Sequence, residues 1–282
     1  MKNILTAIIL VLLPIAATPQ KVIYTSEDSI RIENILQRST IKETCCTGER
    51  IIAVANEFIG EKYVGGTLEH GADEPLFISC TQLDCTTFVE LVLAIAKSAD
   101  EGNCNFTEVC RNLETIRYRR GKNNGYTSRL HYISWWITDS AKTGIIEEIT
   151  PQISSHKLLL DLNFMSTHPG SYPLLAENPG HVTEIEKQEK PYRGIEVSYI
   201  PKEKVEYTGH KNIRSGDIVA ITTSIPGLDV THIGFACYRN DTLCLIHASS
   251  GKGEVIKDIL PLREYLARNR RHTGIRVFRP CF

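Results

Sequence analysis

Leu83-Asp84-Cys85-Thr86-Thr87-Phe88-Val89-Glu90 is the stretch around which the rest of this sequence arranges itself. From Phe88 onward, apolar residues recur at Phe88, Val92 and Ile95, flanked by Val89 and Ala96, and that spacing predicts one buried face of a helix. Asp84 or a neighbour is the expected N-cap, which places Cys85 at or just inside the first turn. Unpaired backbone N–H groups and the positive end of the helix dipole then face the sulfur and favour thiolate over thiol. A buried, inert cysteine is the competing reading, and a lone cysteine does not displace it. Two histidines far downstream do.

His232 to Tyr238 and Thr242 to Ala248 read as paired strands, with Asn240 and Asp241, types that tolerate positive φ, as a two-residue turn between them. With that turn Arg239 faces Thr242, and counting back along both strands brings Gly234 opposite His247. His232 then lies two residues along the same face, a diagonal neighbour at about 7–8 Å. The other face pairs Cys237 with Cys244, either as a disulfide or as two small buried side chains. Each histidine alone reads as structural. With Cys85 at a helix start they supply a nucleophilic site: the thiol attacks, one histidine takes and returns the proton, and a second polar group orients that histidine.

Ahead of the cysteine, Glu27 to Leu36 reads as an amphipathic helix. A second begins at Thr47 as N-cap, buries Ile51, Ile52, Ala55, Phe58 and Ile59, and stops at Gly60. The loop Tyr63-Val64-Gly65-Gly66-Thr67 permits close approach to a strand or a ligand. Behind the cysteine helix, which runs to about Ala99, residues 105–120 and Ser128 to Asp139 are expected to be helical. The latter holds both tryptophans, Trp135 and Trp136, either core or a sugar-facing platform. Asn163 to Tyr192 is punctuated by Pro169, Pro173, Pro179 and Pro191 and reads as a long functional loop. Gly194 to Ile200, Gly216 to Ile221 and Gly274 to Phe278 complete the strands. Helices first and an antiparallel sheet afterwards indicate an α+β fold.

With 42% hydrophobic residues and a formal net charge of −1 over 282 residues, the composition is that of an ordinary globular chain and argues against nucleic-acid binding. The short basic clusters Arg117-Tyr118-Arg119-Arg120 and Arg268-Asn269-Arg270-Arg271 read as solvated helix ends. Residues 1–20 read as an export signal: Lys2, an apolar run from Ile4 to Ala17 too short to span a bilayer, and small residues Ala16-Ala17-Thr18. The mature chain is thus expected outside the cytoplasm, periplasmic or otherwise extracytoplasmic, without stable membrane insertion. Nine cysteines in an oxidising compartment leave at least one unpaired thiol, and their spacing does not match a zinc framework, so neither metal nor cofactor is expected.

Five segments in order resemble the signatures of the NlpC-type papain-like cell-wall hydrolases: Tyr63-Val-Gly-Gly, Leu83-Asp-Cys-Thr-Thr-Phe-Val, Ser215-Gly-Asp-Ile-Val, Thr231-His-Ile-Gly-Phe and Leu245-Ile-His-Ala-Ser. Arg129-Leu-His-Tyr-Ile-Ser-Trp-Trp and Asn163-Phe-Met-Ser-Thr-His-Pro resemble the N-acetylmuramoyl-L-alanine amidase-like branch. The resemblance implies a papain-like α+β fold, with N-terminal helices packed on an antiparallel sheet. It spans the mature chain from about residue 45, read here as a single catalytic domain (21–282), with an insertion over about 100–210 shaping the cleft. It implies Cys85 as nucleophile, His232 as general base and His247 as the orienting residue. Substrate contacts fall to Tyr63, Asp84, Arg129, His131, Tyr132 and Ser166, on a peptidoglycan or soluble muropeptide substrate. Thr86 departs from the serine usual at its position. The expected reaction is cleavage of the amide between N-acetylmuramic acid and L-alanine through a thioester. The alternatives are a γ-D-glutamyl endopeptidase acting on the stem peptide and a non-catalytic muropeptide-binding protein. Oligomeric state is open.

Overall fold

Asp84 begins the element that the sequence places at the centre. In the computed structural model, which describes residues 21–69, 74–207 and 209–282, it is the N-cap of a helix spanning Cys85–Asp100. Its Oδ1 accepts the N–H groups of Thr86 at 3.0 Å and Thr87 at 2.8 Å, while its own N–H donates to Thr87 Oγ1 at 2.9 Å. This capping box satisfies donors that a helix start otherwise leaves open. The export signal expected over 1–20 lies outside the described residues. Among the described residues no helix is long and apolar enough to cross a membrane.

The helix packs on a nine-stranded sheet. In order across it run Gln82–Leu83, Lys62–Tyr63, Glu254–Lys257, Thr242–Ser249, Val230–Arg239, Ile218–Thr223, His272–Pro280 and Ile146–Glu148, while Ile200–Pro201 also pairs with His272–Pro280. Pairing is antiparallel except where Lys62–Tyr63 meets Gln82–Leu83. Alternation along the strands feeds two cores. Ile218, Ala220, Ile233, Phe235, Cys237, Cys244 and Ile246 join the helix-side cluster with Phe88 and Val92. Val219, Ile221, Ala236, Leu243 and Leu245 face away from it, onto Leu262 and Leu266 of a short helix, Leu262–Ala267. Phe88 stands at the first interface, its ring centroid 6.4 Å from Phe58 and 5.9 Å from Phe235 in edge-on contacts.

The two helices expected ahead of the cysteine form at Ser26–Leu36 and Thr47–Asn56, with a short turn of helix at Ser39–Lys42 between them, and the latter has Cys46 rather than Thr47 at the cap. Thr47 Oγ1 instead donates to the carbonyl of Phe282. Phe106–Arg117 follows the cysteine helix.

Three expectations need correction. The helix foreseen from Ser128 starts at Ile133, because Leu130 N–H bonds to Arg117 O and Arg129 bridges Tyr118, holding that segment extended. The proline-rich stretch 163–192 is not one irregular loop. It folds into short helical turns and an 11-residue helix, Pro179–Glu189, with Asn178 as cap and proline where a missing N–H costs nothing. The strand expected at Gly194–Ile200 forms as Arg193–Ser198, but it pairs with Lys157–Asp161 in a ribbon outside the main sheet.

A buried ion pair ties the cysteine helix to its neighbour, so Arg117 and Tyr118, read above as part of a solvated helix end, are core instead. Arg117 Nε lies 2.7 Å from Glu90 Oε2, the two side chains 2% and 4% exposed, and Arg117 Nη1 donates to Phe77 O at 2.8 Å. Removing one partner strands the other's charge in a low-dielectric site. Glu90→Gln is therefore expected to lower unfolding free energy by about 3 kcal/mol, whereas Glu90→Leu combined with Arg117→Met stays within about 1 kcal/mol of wild type. Urea unfolding of the three proteins checks this, and equal losses would assign the effect to packing instead of charge.

Candidate active site

The hairpin turn forms with Asn240 at φ 47° and Asp241 at φ 59°. Arg239 pairs with Thr242 and Cys237 with Cys244, whose thiols are free and buried. Gly234 lies over His247 so closely that an added Cβ would sit 2.8 Å from His247 Cβ, so no side chain fits there. An irregularity between Val230 and His232 shifts the strand locally against Ile218–Thr223. His232 Nε2 reaches 2.6 Å from His247 Nδ1, with ring centroids 4.7 Å apart, closer than a regular diagonal pair.

Cys85 arrives from the other layer. It shares a cavity of about 100 Å³ with His232 and is lined also by Thr86, His131, Ile133, Asp229 and Ile233. The backbone N–H of Ile233 is near enough to its sulfur to favour the thiolate. Tyr265 lies over His232 at 6.0 Å, nearly parallel, and continues the stack onto His272 at 5.8 Å. His247 is 0% exposed, and beyond it Asp258 Oδ2 lies 3.6 Å from Nε2. The order is thus thiol, imidazole, imidazole, carboxylate. Asp258 and Tyr265 escaped the sequence reading because neither the Glu254–Lys257 strand nor the Leu262–Ala267 helix was foreseen.

A model of the AmiA-like family, described as N-acetylmuramoyl-L-alanine amidase-like, matches residues 53–275. The chain belongs to this family. An N-acetylmuramoyl-L-alanine amidase from Bacteroides uniformis ATCC 8492 is 40% identical over 84% of this chain and 99% of its own, with a TM-score of 0.81. A Bacteroides fragilis protein carried under a provisional xylanase name is 44% identical over 80% of this chain and 99% of its own, at TM-score 0.77. A Legionella pneumophila protein, 23% identical over 91% of this chain and 95% of its own at TM-score 0.70, shares the fold. Comparison with curated proteins gave no match.

In this AmiA-like chain the remaining predicted site residues separate into two groups. Tyr63 is aligned beside Leu83 by the parallel pair, next to Asp84 and Cys85. Burial first, and then the charges of Cys85 and Asp84, push its hydroxyl up to about 12. His131 lines the Cys85 cavity, and its Nε2 lies 3.0 Å from Tyr126 O. The other four are engaged by the protein. Asp84 caps the helix. Arg129 sits between Glu69 at 3.0 Å and Glu74 at 3.1 Å. Tyr132 donates to Glu189 at 2.7 Å and accepts from Met165 N–H. Ser166 bonds to the same fully buried Glu189 and lines a separate hollow with Asp161, Asn163 and Arg193. Trp135 and Trp136, 0% and 2% exposed, are core and form no platform. Among the described residues no three His, Cys, Asp or Glu side chains are grouped to hold a metal ion.

The surroundings of the sulfur oppose the expected thiolate. Burial, followed by the negative charge of Asp84, pushes the Cys85 thiol up to about 12, against the opposing effects of Ile233 and Thr86. Burial, followed by His247 and His272, pulls His232 down to about 3. The helix dipole contributes less than desolvation takes away. With both residues half-buried in the cleft, these directions favour a neutral thiol and a neutral imidazole at rest. Iodoacetamide is accordingly expected to modify exposed Cys45, Cys46 and Cys281 before Cys85, and the Cys85 rate to climb steadily through pH 9. A Cys85 rate already at its plateau near pH 6 would show a preformed ion pair instead.

Proposed function

We propose that the protein is an exported cysteine amidase that cleaves the amide between the muramoyl lactyl group and L-alanine of peptidoglycan fragments, on a papain-like NlpC-type scaffold. The observation that carries this reading is the convergence of Cys85 and His232 on one cavity with His247 2.6 Å behind. The family match supports the bond chosen. Neither thiol nor imidazole charges alone in this site. A proton passing from Cys85 Sγ to His232 creates both charges together, and their attraction, helped by the Ile233 N–H, offsets the burial that opposes each.

Sulfur attacks the lactyl carbonyl carbon, and the backbone N–H of Cys85 at the helix start faces the oxygen that becomes negative. The tetrahedral intermediate collapses as His232 returns the proton to the leaving nitrogen of L-alanine, breaking the C–N bond and leaving a muramoyl thioester on Cys85. Water, deprotonated by His232, adds to that thioester; the C–S bond breaks, the thiolate regains its proton, and the sugar acid departs. We assign Tyr63 and His131 to the substrate and Asp84, Arg129, Tyr132 and Ser166 to the frame that holds the cleft.

The provisional xylanase name of one relative fits this site poorly. Glycoside hydrolysis uses two carboxyl groups facing the bond. Here Asp229 lies in the cavity with both oxygens bonded to the N–H groups of Ser134 and Val230, and Asp84 is the helix cap. Incubation with a soluble muramoyl-tripeptide and with the free tripeptide, read by mass spectrometry, tests the proposal. The expected products are intact peptide beginning with L-alanine and free sugar acid, with no action on the free tripeptide. Cleavage after D-glutamate with the sugar–peptide link intact would establish the endopeptidase. No cleavage of either, with binding retained, would establish the binding protein.

A further inference from the structure

The 2.6 Å separation of His232 Nε2 and His247 Nδ1 requires one proton between the two nitrogens, and two arrangements provide it. If His247 carries its proton on Nε2, its Nδ1 accepts, His232 donates from Nε2, and His232 Nδ1 is left with a bare lone pair. If His247 carries it on Nδ1, His232 accepts at Nε2 and is protonated at Nδ1. Only the first arrangement lets His232 take the proton of Cys85, because Nδ1 is the ring nitrogen not engaged by His247.

What distinguishes them lies on the far side of His247. Its Nε2 is buried and has no hydrogen-bond partner among the described residues, but Asp258 Oδ2 stands 3.6 Å away. That is ion-pair distance, longer than a hydrogen bond. In a site this dry, a lone pair pointed at a carboxylate is strongly disfavoured and an N–H favoured. The carboxylate is held in place. Asp258 Oδ1 accepts the N–H of Leu260 at 2.9 Å, and its own N–H donates to Leu245 O at 2.8 Å. Burial raises the Asp258 carboxyl, but the neighbouring His247 ring and the N–H groups of Leu260 and Ile259 outweigh it and the net direction is down, so an anion faces His247. Tyr265 closes the remaining side, its ring 5.4 Å from His247 and edge-on.

We propose that Asp258 is a positioning residue that sets the tautomer of both histidines, placing the His247 proton on Nε2 and thereby presenting an unprotonated His232 Nδ1 to Cys85. This rests on the reading of Cys85 and His232 as nucleophile and base. Asparagine at 258 is the informative substitution, because its amide turns its NH₂ toward His247 Nε2 and favours the reversed arrangement. Alanine has no such preference. Glutamate restores a carboxylate.

The experiment combines imidazole ¹⁵N NMR of histidine-labelled protein with kinetics on the soluble muramoyl-tripeptide, for wild type and Asp258→Asn, Asp258→Ala and Asp258→Glu. Wild type is expected to show both rings protonated at Nε2, and Asp258→Asn both at Nδ1. The asparagine variant should lose about 10²–10³-fold in kcat with KM within about twofold, the alanine variant about tenfold, and glutamate should recover most of the difference. Wild-type His232 protonated at Nδ1, or equal kcat losses for asparagine and alanine with unchanged ¹⁵N shifts, overturns the proposal. The NMR arm needs no substrate. If the tautomers switch as stated and wild type cleaves nothing, the proposed reaction fails while the tautomer assignment stands.

Discussion

Substituting Cys85 by alanine is expected to lower muramoyl–peptide hydrolysis by roughly 10⁴-fold or more while leaving the melting temperature within a few degrees of wild type. The size follows from the chemistry. No other thiol lines the cavity, so loss of this sulfur removes the covalent route altogether and leaves only substrate positioning and oxyanion donors. The small structural effect follows from placement. Asp84, not Cys85, caps the helix, and the helix is anchored downstream by Phe88, Val92 and the Glu90–Arg117 pair. Activity with the soluble muramoyl-tripeptide and a thermal melt are the two measurements. Turnover by Cys85→Ala within about tenfold of wild type would end the cysteine mechanism.

His232→Gln is expected to cost about 10³–10⁴-fold in kcat, and His247→Gln only about 10–100-fold. His232 must accept a proton and give it back twice in each cycle, which glutamine cannot do. His247 orients that ring and stabilises its cation, a task a buried amide performs in part. The reverse ranking would exchange the two roles. The same substitution has a signature in stability. Burial keeps the folded-state pKa of His232 near 3, below the ordinary 6.5, so the unfolded chain binds a proton there that the folded one refuses. Stability contributed by the neutral ring is present above about pH 6.5 and is lost progressively as pH falls toward 3. The melting temperature of His232→Gln should therefore gain on wild type across that window and hold a constant offset above it. Parallel curves throughout would mean that His232 titrates normally.

The local devices were legible in the sequence because each depends on neighbours in the chain. The Asp84 cap and the apolar spacing after Phe88 specify a helix with Cys85 at its start. Asn240 and Asp241 specify a tight turn, and the turn alone fixes the register that lays His247 against Gly234. From these the α+β arrangement and the candidate nucleophile and base could be read. What failed were inferences about environment. The tryptophans, read as core with a sugar platform as the alternative, are core, and the platform fails because composition does not say which face is covered. The ribbon of Lys157–Asp161 and Arg193–Ser198 reads as an ordinary strand until its partner is known.

The charge state of the site was decided by tertiary structure alone. A helix start argues for thiolate, and that argument is sound for an exposed cysteine. Here the Val230–Arg239 strand and the segment around His131 and Ile133 line the cavity beside a half-buried Cys85, and desolvation exceeds what the dipole provides. Asp258 likewise faces His247 only because the Glu254–Lys257 strand pairs with Thr242–Ser249 and ends there. Spacing in a chain sets which groups share a face; burial and the approach of distant charges, both properties of the packed whole, set their protonation.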